Sequence, residues 1–150
     1  MEKGEIMSDY NFKKSIGFKL DKASRLTTLN FGKKLKENDF TITPEQWGVI
    51  NFLLENDGLT QNQIGTLIGK DHTCVSRLID ALIKKDLIIK ETSPLDKRIN
   101  LIFLSELGKK VQKDVVKTVK TNLDTAFKNV SEEEKNIFSA VLDKIIKNLE

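Results

Sequence analysis

Apolar residues recur at helical spacing along most of the chain. In residues 10–37 they stand three or four positions apart, and the same spacing returns in residues 44–55, 61–68 and 72–85 and in the segments after Ser105 and Ser131. This spacing predicts six α-helices, the first of them interrupted near Gly32. Two short stretches, 87–92 and 99–104, are rich in strand-forming residues and flank a polar loop, which predicts a β-hairpin. The expected fold is therefore mainly α with one small β-hairpin, and residues 1–9 are expected to form a loose lead-in.

The predicted helices begin at residues that can cap free backbone N–H groups. Thr43, Thr60 and Ser131 each stand three positions before a Gln or Glu, which is the spacing of a capping box. Asp71 stands at the same position before the next helix and can cap its start. Asp86 follows that helix, at a point where left-handed backbone is expected. The helix boundaries are therefore marked by local chemistry as well as by periodicity.

Only residues 69–71 separate the third predicted helix from the fourth, so the two form a helix-turn-helix pattern. In the third helix, Ile64, Leu67 and Ile68 are expected to face inward. On a wheel of the fourth helix the apolar residues share one side, and the other side carries Thr73, Ser76, Arg77, Asp80 and Lys84. Arg donates two hydrogen bonds to a guanine edge, and Ser and Thr donate or accept, so this polar side suits a DNA major groove. The alternative is an ordinary solvated helix face.

The tip of the predicted hairpin carries Asp96, Lys97 and Arg98. A basic tip can enter a minor groove, where the potential is strongly negative, and Asp96 can hold the Arg98 guanidinium in place. A basic turn alone would be a solvated loop. A helix-turn-helix followed directly by a basic hairpin is a more specific pattern, and it predicts a winged helix-turn-helix with the hairpin as the wing.

Composition narrows the class of protein. The chain has 150 residues, 39% hydrophobic and 31% charged, with a net charge of +3, which suits one folded domain rather than a disordered or membrane-embedded chain. Residues 12–38 hold eight basic and two acidic residues, whereas residues 131–150 hold three basic and five acidic ones. Cys74 is the only cysteine, and neither a signal peptide nor a membrane-spanning segment is visible. A reduced, cytoplasmic protein without membrane contact is expected.

The sequence lacks the residue patterns of an enzyme. No nucleophile–base pair, glycine-rich phosphate loop or His/Cys ligand set is visible, and His72 is the only histidine. We therefore expect no catalytic residues, no metal site and no cofactor. One alternative is a protein-interaction module that kept the winged-helix shape and lost DNA binding. Retention of Arg77, Lys97 and Arg98 argues against that alternative.

These residues resemble the DNA-binding core of the MarR family of bacterial regulators. The resemblance runs through TQNQIG at residues 60–65, VSRLIDALIKK at 75–85, LI at 87–88, DKR at 96–98 and LSELG at 104–108. The flanking helices also match the layout of the family, so the resemblance covers nearly the whole chain. Asp86 departs from it, because the family commonly has Gly there. Residues 93–95 carry fewer charges than many family wings, which puts phosphate contacts near the wing in doubt.

The resemblance implies a single domain over residues 1–150 that acts as a homodimer. Residues 10–38 and 105–150 would dimerise, and a lobe at residues 41–104 would bind double-stranded DNA. A ligand-responsive repressor on a pseudo-palindromic operator is expected. The expected DNA contacts come from His72, Thr73, Cys74, Ser76, Arg77 and Lys84 in the recognition helix, from Asp96, Lys97 and Arg98 in the wing, and to the DNA backbone from Thr60, Gln61 and Asn62.

Members of the family often bind small aromatic acids between the dimerisation helices and the DNA-binding lobe. This implies a small aromatic or anionic effector here, with Phe12 and Trp47 lining the cleft and Arg25 or a lysine near the carboxylate of the effector. The alternative is that these aromatic residues belong to the core. Cys74 raises a further alternative, an oxidation sensor, which the lack of a second cysteine in the chain disfavours.

Overall fold

A computed structural model describes residues 9–150, so most of the predicted lead-in lies outside the described residues. The predicted helices and hairpin are confirmed. Within the described range the helices are α1 (Ile16–Glu37), α2 (Pro44–Glu55), α3 (Gln61–Ile68), α4 (His72–Lys84), α5 (Glu106–Ala126) and α6 (Glu132–Leu149). The strands are β1 (Leu59–Thr60), β2 (Ile88–Thr92) and β3 (Asn100–Leu104), and a 3-10 turn, Phe12–Lys14, precedes α1.

The helix starts follow the capping chemistry of the sequence. Thr43, Thr60 and Ser131 each form both halves of a capping box, at the starts of α2, α3 and α6. The Asp71 carboxylate accepts a hydrogen bond from the Cys74 backbone N–H at 2.8 Å and so caps α4. Asp86 has a φ of 58°, the left-handed conformation expected of it. Each cap satisfies N–H groups that a helix start leaves without a partner in the helix.

Strand β1 was not predicted. It contributes only two residues, and Leu59 and Thr60 pair with Ile102 and Leu101 of β3. The result is a three-stranded antiparallel sheet in the order β1-β3-β2. Two residues are too few for an alternating pattern, so the strand is defined by its distant partner and not by its own sequence. The pairing ties the start of α3 to the middle of strand β3.

Two details of the helices differ from the prediction. Helix α1 runs without a break through Gly32, which faces Pro44 of α2 with ordinary contact distances. In α3, Leu67 does not face inward, since it is 45% exposed. Ile64 on the same helix is fully buried and supplies the contact with the core that was expected of both residues.

The core lies between helices α1 to α5 and the sheet. Its fully buried side chains include Leu35, Ile50, Leu53, Ile64, Ile79, Leu82, Ile102 and Val115. Burying a Leu or Ile side chain fully contributes about 1.5–3 kcal/mol, so these contacts fix how α4 is rotated about its axis. Helix α6 contributes no buried residue to this core.

Candidate nucleic-acid interface

The rotation of α4 leaves its polar side in solvent. Thr73, Arg77, Asp80 and Lys84 are exposed, while the apolar residues on the opposite side of the helix are buried. Ser76 is half-buried at the edge of the exposed face. His72, in the first turn, is exposed, and Cys74 is half-buried. The helix therefore presents to solvent the groups that the wheel predicted.

The wing tip holds its arginine in a fork. The Arg98 guanidinium donates from Nε to Asp96 Oδ1 and from Nη2 to Asp96 Oδ2, both at 3.1 Å, and the Arg98 backbone N–H donates to Oδ1 at 3.0 Å. The predicted pairing is thus confirmed. The Arg98 side-chain hydrogen bonds, and then its backbone hydrogen bond, lower the pKa of Asp96 below its usual value. The Arg98 side chain is still 90% exposed and accessible to a partner.

One hollow of about 210 Å³ joins the wing to both helices of the helix-turn-helix. It is lined by Thr60, Gln61 and Asn62 from the start of α3, His72 from α4, and Lys90, Arg98, Ile99, Asn100 and Ile102 from the hairpin. Residues from all three predicted groups of DNA contacts therefore meet at a single concave surface. Two cations and the start of a helix face it, which makes it favourable for an anion such as a phosphate.

Lys90 is a member of this surface that the sequence analysis missed. It lies directly across from Ile102 in the β2–β3 ladder, and residues opposite each other share a face of the sheet. Strand alternation could have found it, because Lys90 stands two residues after the buried Ile88 and so projects toward the body of the protein. Lys90 itself is exposed and lines the hollow.

Gln61 is turned toward the recognition helix. Its Nε2 donates a hydrogen bond to Ser76 Oγ at 2.6 Å, and the same nitrogen lies 3.3 and 3.4 Å from the two ring nitrogens of His72. Thr60, the residue before it, uses its hydroxyl to cap α3. Asn62 is exposed. Of the three residues predicted to contact the DNA backbone, Gln61 thus has a protein partner that the sequence did not reveal.

A larger cavity, of about 780 Å³, lies between α1, the start of α2 and α4. Its lining combines apolar residues with cations: Thr28, Leu29, Gly32, Lys33, Lys36, Ile42, Thr43, Pro44, Glu45, Gln46, Cys74, Arg77 and Leu78. Arg77 therefore belongs both to this cavity and to the exposed face of α4. A cleft between the long helix and the DNA-binding lobe was expected, and the three residues predicted to line it, Phe12, Arg25 and Trp47, are not among those that line this cavity.

The three predicted cleft residues lie apart from this cavity and from one another. Phe12 packs against Phe18 in a tilted arrangement with ring centroids 4.9 Å apart, and Trp47 packs edge-on against Phe31 at 6.2 Å. Phe18 and Phe31 are 13 positions apart on α1, which separates the two aromatic pairs by about 20 Å along the helix and turns them to opposite sides. Arg25 pairs with Asp21 at 2.8 Å on the surface. Trp47 instead packs against the core, the alternative left open above.

The end of α4 is bound to the rim of the same cavity. Lys85, the C-cap of α4, donates from Nζ to the Thr41 carbonyl at 2.6 Å and to Gln46 Oε1 at 2.9 Å. Gln46 is only 6% exposed, and its Oε1 also accepts from the Thr43 backbone N–H in the capping box of α2. The position of α4 is thus coupled to the loop and helix start that line the cavity.

Residues 9–150 contain neither a helix that could span a membrane nor a cluster of side chains that could hold a metal ion. No helix in that range is both long enough and apolar enough to cross a membrane. No group of three or more His, Cys, Asp or Glu side chains in that range is arranged to hold a metal ion.

The fold and this surface define a winged helix-turn-helix DNA-binding protein. The sequence model of the MarR family matches residues 40–99. The chain is also 30% identical over 112 residues to YybA of Bacillus subtilis strain 168, an HTH-type transcriptional regulator, and the match covers 75% of each protein. The chain therefore belongs to the MarR family of transcriptional regulators, which bind DNA and are not enzymes.

Solved structures show the same fold. The transcriptional repressor CouR, bound to a 23-mer DNA duplex, superposes with a TM-score of 0.81 at 23% identity, over 89% of this chain and 94% of CouR. BpsR of Bordetella bronchiseptica, whose DNA binding is regulated by 6-hydroxynicotinic acid, gives a TM-score of 0.81 at 20% identity, over 91% of this chain and 96% of BpsR. At these identities the likeness shows the fold alone.

Proposed function

We propose that this protein is a ligand-responsive repressor that binds a pseudo-palindromic operator as a homodimer. Helix α4 would enter the major groove and the wing the adjacent minor groove. The observation that carries the proposal is the hollow shared by the start of α3, His72 and Arg98, because one duplex lying there would contact all three elements. CouR, which has the same fold, is a repressor and binds a duplex.

The exposed cations would have different roles at that surface. Arg77 projects from the face of α4 and would contact base edges, where a bidentate pair with guanine is worth about 1–3 kcal/mol of discrimination. Arg98 and Lys90 at the hollow and Lys97 at the wing tip would contact phosphates or the minor groove. Thr73 and Lys84 would flank Arg77 on α4, while Asp96 would orient Arg98 through the observed fork.

Alanine substitutions separate these roles. We expect Arg77→Ala to weaken binding to the selected operator more than binding to random duplex, and Arg98→Ala to weaken both by a similar factor. Affinity measured against salt should fall steeply for the wild type, because bound phosphates release counterions. Lys147→Ala, an exposed lysine on α6, serves as the control. Affinity that is weak and independent of salt, with no effect of either arginine, would favour the protein-interaction module instead.

The homodimer is proposed because the terminal helices leave apolar side chains uncovered. Helix α6 exposes Ile137, Phe138, Val141 and Ile146, and α1 exposes Ile16, Leu26 and Leu29. Contiguous exposed apolar surface of this kind marks an interaction site, and a twofold pair would place two α4 helices about one DNA turn apart.

A charge on the apolar side of α6 tests the homodimer. Ile137 is 59% exposed in the single chain, so Ile137→Glu should be tolerated by an isolated subunit and should dissociate a dimer. Lys147→Glu is the control, since at 100° per residue Lys147 lies opposite Phe138, near the middle of the exposed apolar side of α6. Sedimentation equilibrium measures the mass. A wild-type protein that sediments as a monomer, or a variant that remains dimeric, would count against this interface.

The effector is proposed to occupy the 780 Å³ cavity. Its apolar walls and the cations Lys33, Lys36 and Arg77 suit a small aromatic acid, and BpsR is regulated by such a molecule. An anion that binds Arg77 there would compete with DNA for the same guanidinium. This satisfies the requirement that an effector bind the released state more tightly than the DNA-bound state.

Release of operator DNA by hydroxynicotinic and hydroxybenzoic acids tests the effector site. We expect Lys33→Met and Lys36→Met to raise the acid concentration needed for release. Lys34→Met is the matched control, because Lys34 lies on the same helix but does not line this cavity. Equal sensitivity of all three variants would place the effector elsewhere.

A further inference from the structure

The hydrogen bond between Gln61 and Ser76 has a direction that matters for reading DNA. The two residues lie 15 positions apart, one at the start of α3 and one on α4, and the N···O distance of 2.6 Å is short. Ser76 is next to Arg77 and stands at the edge of the exposed face of α4. The contact therefore joins a residue of the first helix of the helix-turn-helix to a residue of the reading face.

An amide nitrogen donates and does not accept, so Ser76 Oγ must be the acceptor in this bond. The hydroxyl keeps its own hydrogen, which needs another acceptor. In many helices that acceptor is the backbone carbonyl four residues earlier, and Thr27, Thr66, Thr121 and Thr125 each bond in that way. Ser76 makes no such bond within the described residues, so its hydrogen is free for a ligand at the face of α4.

We propose that Gln61 is a positioning residue that orients the Ser76 hydroxyl so that it donates a hydrogen bond to the DNA. The operator would then carry a base with a hydrogen-bond acceptor at the position that Ser76 reads. This rests on the proposed entry of α4 into the major groove. Guanine O6 and N7, adenine N7 and thymine O4 are acceptors on the groove edge, whereas cytosine N4 and adenine N6 are donors. A serine without such a partner accepts or donates equally and would tolerate either kind of base.

Gln61→Glu tests the direction of the bond. A carboxylate of the same size accepts and does not donate, so the Ser76 hydroxyl would donate to it and turn its lone pairs toward the DNA. We expect the preferred base at one position in each half-site to change from guanine or thymine, which carry only acceptors, to cytosine or adenine, which carry a donor. The change in relative affinity should be about twofold to tenfold per half-site, the value of one hydrogen bond. Selection from randomised duplexes, followed by competition among the four bases, measures it.

Two controls isolate the hydrogen bond from charge. Asn62→Asp places the same negative charge at the next residue of α3, on an exposed side chain, and should weaken binding to all sequences without changing the preferred base. In a Ser76→Ala background, Gln61→Glu should produce no change of base at all. A change of base that persists without the Ser76 hydroxyl would overturn the proposal.

Gln61→Met provides a second variant in case the new carboxylate prevents binding altogether. Met fills a similar volume and cannot donate, so the Ser76 hydroxyl would rotate freely and discrimination at that base pair should fall by a similar factor. Undiminished discrimination in Gln61→Met, or an unchanged preferred base in Gln61→Glu, would refute the inference while leaving DNA recognition by α4 intact. A wild-type protein that enriches no sequence would refute the proposed function, and the inference with it.

Discussion

Gly108→Ala tests how closely α5 approaches the base of the wing. Gly108 is buried in the first turn of α5, and its N–H donates to the capping hydroxyl of Ser105 at 2.9 Å. A Cβ at this position would overlap the backbone carbonyl oxygen of Leu87 and lie 2.6 Å from Leu104 Cδ1. The carbonyl has little freedom to move, because it also accepts from the Ser105 N–H at 3.0 Å.

Two opposing effects set the size of the change. Alanine is more favourable than glycine in a helix interior by about 1 kcal/mol. Forcing a methyl group into filled space costs about 1–3 kcal/mol, and the upper part of that range applies where the obstacle is backbone. We expect Gly108→Ala to lower the free energy of unfolding by about 2 kcal/mol.

Urea unfolding at one fixed protein concentration measures the change, since a dimer would make stability depend on concentration. Gly48→Ala is the matched control. Gly48 is also in a helix, α2, and a Cβ there meets no atom within 4 Å, so the same substitution should stabilise by about 0.5–1 kcal/mol. A Gly108→Ala protein as stable as the wild type would show that α5 and the wing base are packed more loosely than the distances indicate.

Three further predictions concern hydrogen bonds. Because Arg98 holds the pKa of Asp96 below 3.8, the contribution of this pair to stability is complete above pH 3.8 and is lost as the pH falls through the lowered pKa. NMR titration of Asp96 should show its midpoint return toward 3.8 in Arg98→Ala. Lys85→Met removes two hydrogen bonds and leaves Gln46 buried with one fewer partner, so urea unfolding should show a loss of about 1–3 kcal/mol, while exposed Lys84→Met should change stability by less than about 0.5 kcal/mol. Thr43→Ala breaks the capping box of α2 and should lower thermal stability in calorimetry by the equivalent of about 1 kcal/mol.

The features predicted correctly from the sequence depend on residues that are close in the chain. A capping box needs Thr43 and Gln46, three positions apart, and the wing fork needs Asp96 and Arg98, two positions apart. The polar side of α4 likewise follows from the identities of consecutive residues, because the helix period fixes which of them share a side. No tertiary information was required for any of these features.

The absence of Phe12, Arg25 and Trp47 from the lining of this cavity has a different origin. Phe12, Arg25 and Trp47 were grouped by chemical type, but whether they meet depends on how α1 crosses α2 and α4. The structure places Lys33 and Lys36 at the cavity instead, two and five positions beyond Phe31, which packs on Trp47. Helix crossing is set by packing between segments far apart in the chain, which periodicity does not encode. Strand β1 was not predicted for the same reason, because its partner β3 is far away in the sequence.

The interactions that would connect an effector to DNA are the least visible in the sequence. Lys85 reaches Gln46 across 39 positions and Gln61 reaches Ser76 across 15, and each ends on α4, one at its C-terminal end and the other near its start. Arg77, between those two points, lines both the cavity and the reading face. A ligand that displaced the start of α2 would therefore act on α4 through Lys85, whereas one that bound Arg77 would act on the base contact directly. The two routes differ in one measurable respect: only the first should be lost in Lys85→Met, because Arg77 keeps its position in the cavity in that variant.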